Sequence, residues 1–251
     1  ALRSSKSEHV LDRWILARLA ALIGETTEGY EKYQLDKAVR PLALFIDDLS
    51  VWYLRRSRDR IKEEGADKKA ALATLRYVLH TLSRIIAPSM PFLAEHIFQA
   101  VRESEDEESV HLALWPEMPK FDFDAVEVLA NMFAIRLIVS QALQARDGAG
   151  IKVRQPLQKL TINSGHLADA YLRLIADEVN VKDVIESEKM PVGMVLLETE
   201  MTEELREEGI IRDTIRLVQD ARKAAKMKAG ERGDVSITVP QETRAVIEKN
   251  L

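Results

Sequence analysis

Apolar residues recur every three or four positions through the first hundred residues. At about 100° per residue, Leu11, Ile15, Leu19 and Leu22 share one face and predict a helix over residues 9–24. Leu35, Ala38, Leu42, Phe45, Leu49 and Trp52 repeat the alternation and predict a second helix, started or kinked by Pro41, that runs to about residue 64. Leu72, Leu75, Leu79, Leu82 and Ile86 form a third stripe, ended by Pro88. Ser89 with Pro91 then offers a cap and a preset φ for a fourth helix over residues 91–102. Long amphipathic stripes with short connections bury themselves only against one another, so residues 1–102 are predicted to form a helical bundle.

Residues 103–120, with Pro116 and Pro119, are expected to be a long connection, and residues 124–146 return to helical character before Gly148 and Gly150 end it. A domain boundary falls near residue 147, giving a bundle over 1–147 and a smaller domain over 148–251. Beyond the boundary the period shortens. Residues 157–163, 181–187, 192–199 and 234–240 suit strands by alternation or β-branched content, with helices over 166–177 and 202–228 and a closing helix after Pro240. The fold expected is therefore mainly α, a helical bundle followed by a small α+β domain of split βαβ character.

Composition is that of an ordinary folded protein, with 46% hydrophobic and 31% charged residues among 251. The net charge of -5 excludes a blanket basic surface, so any nucleic-acid contact has to be local. Zero cysteines exclude disulfides, thiolate catalysis and cysteine-ligated metals, and fit a reducing, cytoplasmic setting. The polar start, Ala1 to Glu8, carries no apolar signal core, no unbroken run of about 18 apolar residues suggests a membrane span, and the missing initiator methionine suggests a cut fragment. His9, His80, His96, His111 and His166 lie far apart, and no phosphate loop, nucleophile elbow or zinc-protease spacing occurs, so no active site is expected.

Three segments are candidates for binding. In residues 47–60 the apolar line of Phe45, Leu49 and Trp52 continues into Arg56 and Arg60, with Arg55, Arg58 and Lys62 on the adjoining face. Indole beside guanidinium is the chemistry that stacks unpaired bases and forks onto phosphates. An ordinary helix end, with Trp52 in the core, Arg55 paired to Asp59 and Arg60 to Glu64, fits the same spacing. Arg212, Arg216, Gln219, Lys223 and Lys226 form a row on one helical face that could track a backbone or be a solvated face. Lys152, Arg154 and Gln155 follow the glycine turn at the domain junction, where loops commonly carry contacts, although the residues by themselves fit ordinary exposed positions better.

Leu11-Asp12-Arg13-Trp14, Asp48-Leu49-Ser50 through Arg60, Ala87-Pro88-Ser89-Met90-Pro91-Phe92 and Ser109-Val110-His111 through Trp115-Pro116 together resemble the C-terminal region of class Ia aminoacyl-tRNA synthetases. Lys152-Val153-Arg154-Gln155-Pro156-Leu157, Glu207-Glu208-Gly209 through Lys223, and Arg232-Gly233-Asp234 are most similar to the isoleucyl branch, with a valyl or other class Ia parent, or a helical protein-interaction module, as alternatives. The resemblance implies an anticodon-binding helical domain, with Trp52, Arg55, Arg56, Arg58, Arg60, Lys152, Arg154, Gln155, Arg212, Arg216, Gln219 and Lys223 as RNA-binding candidates. It also implies isoleucine tRNA and the synthetase catalytic domain as partners and monomeric action; some members of the family end in a cysteine zinc site, and because this sequence has no cysteine no zinc is expected here. ATP and Mg2+ would belong to the catalytic domain, whose adenylation signatures are missing from these residues.

Overall fold

The computed structural model describes residues 8–228 and 230–250, so most of the polar opening stretch lies outside the described residues. Packing divides the chain into two compact units, Ala1–Met132 and Phe133–Leu251, and the division falls inside one helix. The mainly α expectation holds, with a small α+β part towards the C-terminus.

In the first unit α1 (Val10–Glu31) is the central helix. Its predicted positions Leu11, Ile15, Leu19 and Leu22 are buried, and so are Trp14, Leu16, Ala17, Ala20 and Ile23. A helix that is apolar around most of its circumference belongs inside a bundle, and α1 packs on both α2 (Leu35–Asp47) and α4 (Ala66–Ile86). Its approach to α2 is closest at Gly29, where a Cβ would stand 2.6 Å from the Ala38 backbone nitrogen.

The predicted second helix is one continuous element with a wider turn in its middle: α2, a π-helical segment (Asp48–Leu54), then α3 (Arg55–Lys62). In α4 the buried face is Ala71, Thr74, Val78, Thr81 and Ile85, while Leu72 of the expected leucine stripe is exposed. The small residues of that face let Tyr53 approach closely enough for its hydroxyl to donate to the Ala71 carbonyl at 3.2 Å. Helix α5 (Pro91–Val101) opens on its proline as expected. The connection after it is partly ordered by Glu95, whose carboxylate accepts from the Ser109 hydroxyl and the Val110 amide at a 3-10 turn (Val110–Leu112).

Helix α6 (Ala125–Gly148) has the length and hydropathy of a membrane-spanning helix, although its apolar residues form no unbroken run, being interrupted by Asn131, Arg136, Ser140 and Gln141. Met132, Ile135, Val139 and Ala142 are buried along it, while a third of its most apolar stretch is buried in all, and length and composition alone decide nothing.

The second unit holds a three-stranded sheet in the order β2-β1-β3. β1 (Leu157–Ile162) pairs parallel with β2 (Val181–Glu186), Leu157 opposite Val181 and Ile162 opposite Glu186. β3 (Val195–Leu197) runs antiparallel on the other side of β1. Helix α7 (Asp169–Val179) makes the crossover and packs on β2. It ends at Asn180, a left-handed position at φ 57° that asparagine tolerates. Helices α8 (Glu203–Ala224) and α9 (Gln241–Lys249) follow. The split arrangement is corrected in two respects. β1 and β2 are direct neighbours, and residues 234–240 form no strand: Val235 and Ile237 lie exposed with no strand beside them, so β-branched content there has no ladder to join.

Candidate nucleic-acid interface

The π-helical segment decides which side chains of the second helix face outward. Widening a turn from i→i+4 to i→i+5 bonding inserts one residue and rotates everything after it by about 100°. The buried line therefore runs from Leu49 and Trp52 through Tyr53 and Ser57 to Arg60, passing over the half-buried Arg56. Two buried carboxylates hold the segment against α1. Asp48 accepts from Arg18 Nε at 2.8 Å, and Asp12 accepts from the Tyr53 hydroxyl at 2.9 Å.

Trp52 and Arg60 are thereby removed from the displayed surface. Trp52 is buried edge-on against Trp14, with ring centroids 6.5 Å apart and planes at 72°. Arg60 donates to both oxygens of Asp12, at 3.0 and 2.9 Å, and to both oxygens of Asp67, at 2.8 and 2.6 Å. Burial opposes the charge on this guanidinium, but the bonds to Asp67 and Asp12 outweigh it and raise its pKa above the usual arginine value. A side chain with both edges occupied by carboxylates is structural. The helix-end alternative places Trp52 in the core, where it lies, but the partners of Arg60 are Asp12 and Asp67 instead of Glu64, and Glu64 stands beside Lys68.

What the rotation leaves outside is a groove lined by Ser50, Val51, Leu54, Arg55, Arg58, Ile61 and Lys62. Its floor is apolar and its rim cationic. Arg55 is exposed and donates through Nε to the Val51 carbonyl at 2.8 Å. Arg58 is exposed and makes no ion pair among the described residues, while Lys62 stands 3.5 Å from Asp59. Arg56 is half-buried. Arg60 and Lys62 occupy the last turn of α3, where the helix dipole favours cations. Such a groove can take a flat apolar ring on its floor and phosphate oxygens at its rim.

In the second unit Lys152, Arg154 and Gln155 line one pocket with Gly150, Ile151, Met201, Gly209 and Asp213. Lys152 is exposed, and Arg154 pairs with Asp213 at 2.6 Å. Gln155 turns inward. Its amide donates to the Leu205 carbonyl at 2.6 Å, and its oxygen occupies the space where a Cβ on Gly209 would lie. On α8, Arg212 is tied to Asn180 and Glu208 and Arg216 stands near Asp220, so the first two members of the predicted row face carboxylates; Gln219 and Lys223 are exposed.

Sequence reasoning missed Arg146. It closes the buried α6 line of Met132, Ile135, Val139 and Ala142, so the three-four spacing was the available signal. The guanidinium is fully buried and donates to the carbonyls of Lys152, Gln155 and Asn180 at 3.1, 2.9 and 2.7 Å. Burial pushes its pKa down to about 10. Among the described residues no three His, Asp or Glu side chains converge as metal ligands.

Residues 12–161 match the family described as the anticodon-binding domain of tRNA ligase. The isoleucine–tRNA ligase of Chlamydia trachomatis serovar D is 42% identical over 180 residues, which is 69% of this chain and 17% of that protein. The isoleucine–tRNA ligase of Clostridium novyi is 40% identical over 185 residues, 71% of this chain and 18% of that protein. The chain thus spans less than a fifth of the length of these relatives.

Proposed function

Because the chain belongs to the anticodon-binding domain family of tRNA ligases, we propose that it grips the anticodon stem and loop of isoleucine tRNA as one part of an isoleucine–tRNA ligase. The observation that carries this proposal is the groove on α3, where Val51, Leu54 and Ile61 supply an apolar floor and Arg55, Arg58 and Lys62 a cationic rim. Unpaired bases stack on apolar and guanidinium surfaces, and phosphates supply most of the binding energy, with discrimination left to base edges. A local groove is also what a chain of net charge -5 requires if it binds RNA at all. On this reading the chain works in the cytoplasm, one copy on one tRNA. The ATP-dependent attachment of isoleucine, with its Mg2+, belongs to other parts of the ligase, which would be the second partner of this chain.

The test is a gel-shift titration of the chain against isoleucine tRNA, an anticodon-swapped copy and a non-cognate tRNA. Preferential retention of the first supports the proposal. Equal retention of all three removes anticodon recognition from it, and retention of none refutes it.

A further inference from the structure

We propose that the loop over residues 150–155 is a preorganised site for a single RNA phosphate, with buried Arg146 as the positioning residue beneath it. The assignment rests on the RNA-binding proposal for its ligand, but not for the existence of the site.

Three observations converge on it. The first is fixation of the loop. Arg146 bonds the carbonyls of Lys152 and Gln155, the Asn180 amide donates to the Val153 carbonyl at 2.8 Å, and the Gln155 side chain is anchored to the Leu205 carbonyl on α8. A loop held at each of these points presents its groups with little entropy left to lose on binding. The second is unused donors. The backbone N–H groups of Lys152, Val153 and Arg154 donate to no acceptor among the described residues, although their neighbours Ile151 and Gln155 do. A run of free amides is a common anion-binding device.

The third is charge. Lys152, Arg154 and Arg146 set three cations against one carboxylate, Asp213, in and under the pocket. Arg146 is fully buried, and its bonds go to carbonyl oxygens. A buried cation that meets only dipoles is costly and leaves a positive potential in the loop that it holds. An anion at the loop would offset that cost. A monoanionic phosphodiester suits the site, because it accepts from several amides and a lysine at once without needing the Arg154–Asp213 pair to open.

The experiment has two arms. In the first, inorganic phosphate is titrated into 15N-labelled chain. The amide resonances of Lys152, Val153 and Arg154 are expected to move saturably in the wild type and much less in Lys152→Gln, an exposed change that leaves the buried scaffold intact. Absence of saturable movement in the wild type overturns the site. In the second arm, isoleucine tRNA is titrated at several salt concentrations. Lys152→Gln is expected to weaken binding several-fold at low salt and to lower the slope of log affinity against log salt by about one. If phosphate binds but only Arg58→Ala weakens tRNA binding, the site takes free phosphate and its assignment to RNA is overturned, while the α3 groove stands. If neither variant affects tRNA binding, the RNA proposal itself falls, and the assignment of this site to RNA falls with it.

Discussion

Arg60 closes a two-pronged ion pair with Asp12 across 48 residues of sequence, donating through both terminal nitrogens. Asp12 is fully buried, so its charge is compensated only from within the protein, by Arg60 and by the Tyr53 hydroxyl. Removing Arg60 would leave the buried Asp12 without its guanidinium, whereas removing Asp12 leaves Arg60 still held by Asp67. Arg60→Ala is expected to cost about 3–5 kcal/mol of stability, measured by urea unfolding. A loss under about 1 kcal/mol would show that the cluster does not fix the second helix.

Arg58 lies on the outer face of the same helix, with no ion pair among the described residues to break. Arg58→Ala should therefore leave the unfolding midpoint nearly unchanged. It should lower the slope of log tRNA affinity against log salt by about 0.7 to 0.9, as expected for one lost phosphate contact. Arg60→Ala should do the reverse, acting mainly on stability. Titrations at several salt concentrations, together with melting curves, separate the two.

Gly29 is needed because α1 and α2 touch backbone to backbone. A Cβ there would stand 2.6 Å from the nitrogen and 2.8 Å from the Cα of Ala38, atoms that move only if the helix moves. Gly29→Ala is expected to destabilise by about 1–3 kcal/mol through overpacking, despite alanine's better helix propensity. Gly24→Ala in the same helix meets no atom within 4 Å and should be neutral or mildly stabilising. Thermal unfolding of the two variants checks the contrast.

His80 is buried against Phe98, and its Nε2 stands 3.3 Å from Asp106. Burial lowers its pKa below the usual 6.5, Arg84 and Arg76 lower it further, and Asp106 offsets part of the effect. The sign follows from the lowered folded-state value. Above pH 6.5 neither state holds the proton and the full stability is present; as pH falls below 6.5 the unfolded chain takes up a proton that the folded chain resists, and stability is lost. His9, also lowered chiefly by burial, acts in the same direction. Unfolding free energy should therefore decline from pH 7 to pH 5, and less steeply in His80→Gln. An equal decline in that variant would remove His80 as a cause.

Much of this architecture is legible in the residues. The stripe of α1 is buried as its spacing predicts, and so are Ala38, Leu42, Phe45 and Leu49 of the second helix, although Leu35 at its start is exposed; β1 and β2 begin at Leu157 and Val181 as expected, because alternation reports burial directly. The π-helical turn is not legible. It is stabilised by partners far away in sequence, Asp12 for Tyr53 and Arg18 for Asp48, and periodicity sees only near neighbours. Spacing puts Trp52 on the apolar stripe, where it is indeed buried, but without the inserted residue the stripe runs on through Arg56, and spacing alone leaves Trp52 and Arg60 available to RNA. For residues 234–240, β-branched content signals a preference that is realised only when another strand offers an edge. Arg146 escaped notice because an arginine ending an apolar stripe looks like a solvated helix end until the carbonyls of Lys152, Gln155 and Asn180 are seen around it.

The most direct test of the α3 groove is ultraviolet cross-linking of the isoleucine tRNA anticodon stem-loop to the 251-residue chain, with adducts mapped by mass spectrometry. Adducts from anticodon-loop nucleotides to residues between Ser50 and Lys62, lost in Arg58→Ala, are predicted. A stable complex whose adducts all lie outside that stretch would contradict the account.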